Sequence, residues 1–141
     1  MRTLALAPDL RAQIEREARA AFPRECCGLI EGARDGDVLR ALALHPSSNL
    51  APEPDRFAID PALHIALRRA LRGTDRALIG CYHSHPNGFA EPSPRDRECL
   101  ASDGFVWLIA ALEGSAVTLR GFACPPGEGG VISPVPLAPI V

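Results

Sequence analysis

Two histidines separated by one residue, His83 and His85, are followed by Pro86, Ser93 and Asp96, and a solitary Glu25 lies far upstream. Two imidazoles, a carboxylate and a second, separate acid are the parts of a zinc hydrolase. Catalytic zinc sites hold the metal with three protein ligands drawn from His, Asp, Glu and Cys, and leave the fourth position to water. The apolar run Ala77 to Tyr82 predicts a strand leading into the histidines, and residues at i and i+2 of a strand share one face. His83 and His85 therefore make a two-pronged clamp to which Asp96 can add a third arm. Ser93-Pro94-Arg95-Asp96 also reads as a capping box, with Ser93 at the N-cap and Asp96 at N3 near the positive helix end. Capping and ligation are compatible, because the cap fixes the helix start that aims the carboxylate.

The elements that must position these groups follow from periodicity and punctuation. Pro8 opens a helix with Leu10, Ile14, Ala18 and Ala21 on one face, and Pro23 closes it. Glu25 heads an apolar strand, Cys26 to Ile30, and Asp35-Gly36-Asp37 turns the chain into a second strand, Val38 to Leu44. A loop rich in Pro, Ser, Asn and charge spans His45 to Arg56 and is the expected wall of a substrate groove. Phe57 to Asp60 predicts a short strand, and Pro61 starts a helix that presents Leu63, Leu67 and Leu71 and stops at Gly73. After the histidine strand, a helix from Pro94 to about Asp103 precedes a hairpin, Phe105 to Leu112 and Ala116 to Cys124, turned at Glu113-Gly114-Ser115. The remainder, from about residue 125 to 141, reads as a Gly/Pro-rich tail in which Gly129-Gly130 is loop. This order lacks regular βα alternation, so the expected fold class is α+β, a central mixed sheet flanked by helices.

The composition bounds the partners. A chain of 141 residues fits one domain with a core of its own. Net charge −2 supplies no broad basic field for nucleic acid, and no apolar run approaches the roughly 18 residues of a membrane span. No signal peptide is legible at the N-terminus, so cytoplasm is the expected compartment, and a protein or peptide is the expected partner. All fifteen basic residues are Arg, which reads as compositional bias. Cys26, Cys27, Cys81, Cys99 and Cys124 form no C-x-x-C pair and read as small buried hydrophobes. His45 and His64 are expected to be structural or exposed, Tyr82 and Trp107 to pack with a satisfied polar tip, and Ser84 to point away from the clamp in a supporting role.

Glu25, then His83-Ser84-His85-Pro86, six residues, and then Ser93 and Asp96, resembles the motif of the JAMM (MPN-plus, JAB-domain) zinc metalloproteases at every position. Pro23 to Ile30 is similar to the family's Glu-bearing strand, and the likeness to its short, stand-alone bacterial branch runs from about residue 5 to residue 124. The resemblance implies a single MPN/JAB-like (cytidine-deaminase-like) domain over 1–141, with one catalytic Zn2+ on His83, His85 and Asp96. It also implies Glu25 as general base and then acid, with Ser93 hydrogen-bonding the developing oxyanion or serving as the cap. The implied reaction is cleavage after the C-terminal Gly-Gly of a ubiquitin-like protein, whose tail could lie as an added strand along a sheet edge. Processing of a sulfur-carrier protein C-terminus is the alternative substrate, and a non-catalytic MPN scaffold module the alternative of another class. Neither the bond type, peptide or lysine isopeptide, nor the oligomeric state is legible.

Overall fold

In a computed structural model, residues 3–103, 105–124 and 131–139 are described. The chain runs β1 (Thr3–Ala5), α1 (Pro8–Ala21), β2 (Cys27–Asp35), β3 (Val38–Ser47), α2 (Pro61–Leu71) and β4 (Ala77–His85), then α3 (Pro94–Asp103), β5 (Val106–Glu113), β6 (Ala116–Ala123), β7 (Ser133–Val135) and β8 (Leu137–Ala138). Each helix begins with proline, whose missing N–H costs nothing in the first turn. Asp60 caps α2 by accepting the Ala62 N–H at 2.9 Å. Both hairpin turns place glycine at positive φ, Gly36 at 61° between β2 and β3 and Gly114 at 61° between β5 and β6.

Among the described residues the strands form one mixed sheet in the order β7-β6-β5-β4-β2-β3-β1-β8. The pairs β4–β5, β1–β3 and β1–β8 are parallel and the rest antiparallel. Strand alternation separates two apolar layers. Ile30, Tyr82, Leu108 and Ala110 join Ile14 and Ala18 of α1 on one side, whereas Leu29, Cys81, Trp107 and Ile109 pack with Leu100 of α3 and Leu63 and Leu67 of α2 on the other. His83 and His85, of odd number like Cys81, therefore belong to the face that carries α2 and α3.

The structure changes several expectations. Phe57 to Asp60 is not a strand, and only an isolated antiparallel bridge, Asn49 with Ile59, forms there. Strand β3 extends through His45 to Ser47, so the predicted loop starts later. The N-terminal residues supply β1, and the tail supplies β7 and β8; Gly129-Gly130 lies outside the described residues. Since β7 and β8 are separated only by Pro136 yet pair with β6 and β1, the sheet curls and the tail spans its two ends. Leu4 and Leu6 donate their N–H groups to the carbonyls of Pro136 and Ala138, at 2.9 and 2.8 Å. The outer strands are three and two residues long, and β7 pairs with β6 only at residues 121–123.

Candidate functional site

Strand β4 delivers His83 and His85 to one face at its C-terminal end, as the i, i+2 spacing requires. Strand β2 runs antiparallel beside it with Cys27 opposite His83, which carries the preceding Glu25 alongside His85. Two bonds lock this junction: Cys26 N–H donates to Ser84 Oγ at 2.8 Å and Ser84 N–H to the Cys26 carbonyl at 3.1 Å. Ser84 thus points away from the clamp and ties the two strands. The capping box is reciprocal, with Asp96 N–H donating to Ser93 Oγ at 3.1 Å and Ser93 N–H to Asp96 Oδ2 at 3.0 Å.

The clamp and the cap converge on a triangle of atoms. His83 Nε2 and His85 Nε2 lie 3.0 Å apart, and Asp96 Oδ2 is 3.1 and 3.0 Å from them. His85 Nδ1 faces the Phe89 carbonyl at 2.8 Å, and a carbonyl only accepts, so that nitrogen carries a proton and neutral His85 turns a lone pair inward at Nε2. Lone pairs of two imidazoles and a carboxylate at this spacing repel unless positive charge lies among them. Tetrahedral zinc with bonds of about 2.0–2.1 Å sets neighbouring ligand atoms roughly 3.3–3.4 Å apart, close to the separations found. The donor set therefore fits a metal ion. Glu25, His83 and His85 also offer ligand atoms that all lie within 4.8 Å of one another, so the Glu25 carboxyl is within reach of an ion held by the histidines.

Burial governs the electrostatics. Glu25 is 6 % exposed and His83 fully enclosed. Loss of water pushes the Glu25 carboxyl up to about 7; the His85 charge opposes this, while Asp96 and Asp55 reinforce it. Burial alone would raise Asp96 too, but hydrogen bonding to His83 and His85 outweighs it and holds the carboxyl well below the usual range. Burial lowers His83, whose Nδ1 has no hydrogen-bond partner among the described residues. Its ring is instead fixed by Phe57, stacked at 4.2 Å and 17°, and by the edge contact of Trp107 at 5.6 Å and 87°. Phe57 is a contact that the sequence reading missed, for an aromatic read as the first residue of a short strand carries no signal of which ring it covers. Asn49 was missed likewise.

A cleft of about 670 Å³ opens onto the triangle. Glu25, His85 and Ser93 lie at its floor, with Asp55, Phe89, Glu91 and the rings of Pro23, Pro54, Pro86, Pro92 and Pro94 around them. Pro54 and Asp55 belong to the loop expected to form a wall. The remaining sequence candidates are placed elsewhere. His45 Nε2 meets Glu31 Oε1 at 2.9 Å, and His64 takes a hydrogen bond from Arg68 on exposed α2. Tyr82 is buried and its hydroxyl donates to Glu17 at 2.7 Å. Cys26 and Cys27 are buried and their thiols are pushed up to about 11 and 12 by desolvation, which suits packing rather than thiolate chemistry.

Comparison with known proteins identifies relatives of the chain. Residues 7–123 match the family described as prokaryotic homologs of the JAB domain. The chain is 36% identical over 116 residues to the protein named desampylase from Haloferax volcanii, covering 79% of this chain and 82% of that protein. It is 40% identical over 127 residues to a Thermus thermophilus protein named "Probable TtuB-protein conjugate cleaving protease", covering 87% of this chain and 74% of its relative. The solution structure of a Desulfitobacterium hafniense protein superposes with a TM-score of 0.82 at 26% identity, covering 96% of this chain and 91% of the other. A crystal structure of a JAB1/MPN domain protein from Archaeoglobus fulgidus shares the fold, with a TM-score of 0.60 at 16% identity, covering 96% of this chain and 98% of that one. On the extent of these matches and the α+β architecture that accompanies them, the chain belongs to the prokaryotic JAB family and is a hydrolase of that family.

Proposed function

We propose that the protein is a zinc-dependent isopeptidase or peptidase that cleaves after the C-terminal Gly-Gly of a ubiquitin-like protein, releasing it from a conjugate or an extension. The observation that carries this reading is the triangle of His83, His85 and Asp96 with buried Glu25 beside it and an open cleft in front. The names of the Haloferax and Thermus relatives support a ubiquitin-like substrate. The reading treats residues 1–141 as one catalytic domain.

His83, His85 and Asp96 would hold the zinc. When bound, the ion lowers the pKa of its water to about 7 and polarises the scissile carbonyl. Glu25 takes the proton from the attacking water and passes it to the departing amine. Burial raises the Glu25 carboxyl above its ordinary value, which helps it both to take and to return a proton. Ser93 Oγ accepts the Asp96 N–H, which leaves its own proton for the oxyanion of the tetrahedral intermediate. A cleft lined by proline rings and Phe89 suits a tail of small residues, whose backbone can pass close to the triangle.

The test incubates zinc-loaded protein and its Glu25→Gln variant with ubiquitin-like proteins extended past Gly-Gly by a peptide bond or by a lysine isopeptide bond, with products read by intact mass. Release after Gly-Gly that falls at least about 100-fold in Glu25→Gln, with zinc retained, is the expected result. Sulfur-carrier proteins are included as the alternative substrate. A zinc-bound protein that cleaves none of them favours the scaffold reading.

A further inference from the structure

The Asn49 side chain does more than close a loop. Its Nδ2 donates to the Glu25 carbonyl at 3.0 Å and to the Arg56 carbonyl at 2.8 Å, while its Oδ1 accepts the N–H groups of Ala51 and Ala58, each at 3.0 Å. Two acceptors on one side and two donors on the other fix the orientation of the amide and use all its common valences. The four partners are not equivalent for chemistry. Glu25 is the acid beside the triangle, and Arg56 and Ala58 bracket Phe57, the ring stacked on His83. The main chain of Glu25 at this point has left the β2 ladder, which begins at Cys27. Asn49 is thus a clasp that holds both the acid and the cover of a histidine ring.

We infer that Asn49 is a positioning residue for the proposed hydrolysis, setting Glu25 and Phe57 relative to His83 through its amide. The inference rests on the reading of Glu25 as proton carrier, and its consequence is a kcat effect. Displacing a reacting group by about 1 Å costs up to roughly 100-fold in rate. Asn49→Asp retains the shape and the two accepted bonds but turns a carboxylate oxygen toward the carbonyls of Glu25 and Arg56, which it can only repel.

The protein has one tryptophan, and Phe57 lies edge-on to it at 5.6 Å, so Trp107 fluorescence reports on the clasp without any substrate. In zinc-loaded Asn49→Asp, kcat is expected to fall about 10- to 100-fold with KM within about threefold, and Trp107 emission to shift. Asn49→Ser, measured well below its own melting midpoint, serves if the Asp variant does not fold. Thr74→Ala, which removes hydrogen bonds at the exposed end of α2, is the control for simple destabilisation and keeps kcat. A folded Asn49 variant with wild-type kcat and unshifted emission overturns the inference. If wild-type protein cleaves nothing after Gly-Gly, the functional reading has failed, and an unshifted Trp107 emission still overturns the clasp.

Discussion

A single oxygen, Asp96 Oδ2, meets Ser93 N–H and both imidazoles, so helix capping and the proposed ligation are one arrangement. Ser93→Ala removes the reciprocal bond to Asp96 N–H and is expected to cost about 1 kcal/mol in denaturant unfolding. It is also expected to lower kcat through loss of the oxyanion donor, and full activity at the lowered stability would leave Ser93 a cap alone. His83→Ala and Asp96→Ala each break the triangle and are expected to abolish stoichiometric zinc, measured by elemental analysis. Chelation of wild-type protein is expected to abolish cleavage and lower the melting midpoint, since ligand binding to the native state stabilises it.

At the scale of elements, the site depends on how closely β4 lies between its neighbours. A methyl group on Gly80 would collide with the Val106 carbonyl of β5, and one on Gly28 with the Tyr82 ring. Gly80→Ala is expected to destabilise by about 1–3 kcal/mol, read as a shifted denaturation midpoint, because the obstacle is backbone and cannot rotate away. Further along β2, Glu31 ties β2 to β3 and to the residue that leads into β4: it accepts from Arg76 at 2.8 Å and meets His45 at 2.9 Å. Hydrogen bonds from Arg76 and His45 hold its carboxyl below the usual 4.5. A depressed carboxyl contributes stability that is fully present above the unfolded value near 4.5 and is lost as the pH falls through the folded value. Melting curves of wild type and Glu31→Gln should therefore differ at pH 7 and converge below pH 4.5; a constant difference would mean that the charge is not what matters.

For the molecule as a whole, the consequential feature is the C-terminal segment that pairs with β6 at one end of the sheet and β1 at the other. It covers two strands that would otherwise present unpaired backbone, a liability for edge-to-edge association. Deleting residues 131–141 is expected to lower the melting midpoint and promote aggregation on warming, followed by light scattering. Zinc binding by that variant at low temperature would place the segment's role in stability, since neither β7 nor β8 contributes to the triangle. Among the described residues no helix is long and apolar enough to cross a membrane.

The candidates His83, His85, Asp96 and Ser93 were legible by type and spacing, because a strand's two-residue repeat and a helix cap are local rules that tolerate little variation, whereas Glu25 was legible only as an isolated upstream acid and through the family resemblance. The same holds for the proline-started helices and the glycine turns. What the sequence did not contain was the distance between Glu25 and the histidines, 58 residues apart for Glu25 and His83, which only the β2–β4 register supplies. Nor did it show that Phe57 stacks on His83 or that Asn49 reaches the Glu25 carbonyl, because those partners lie in distant segments. The short strands β1, β7 and β8 were missed for a related reason: three or fewer residues carry no period, and their pairing is imposed by the ends of a curled sheet. Local stereochemistry chose the candidate groups, and long-range backbone pairing brought them together.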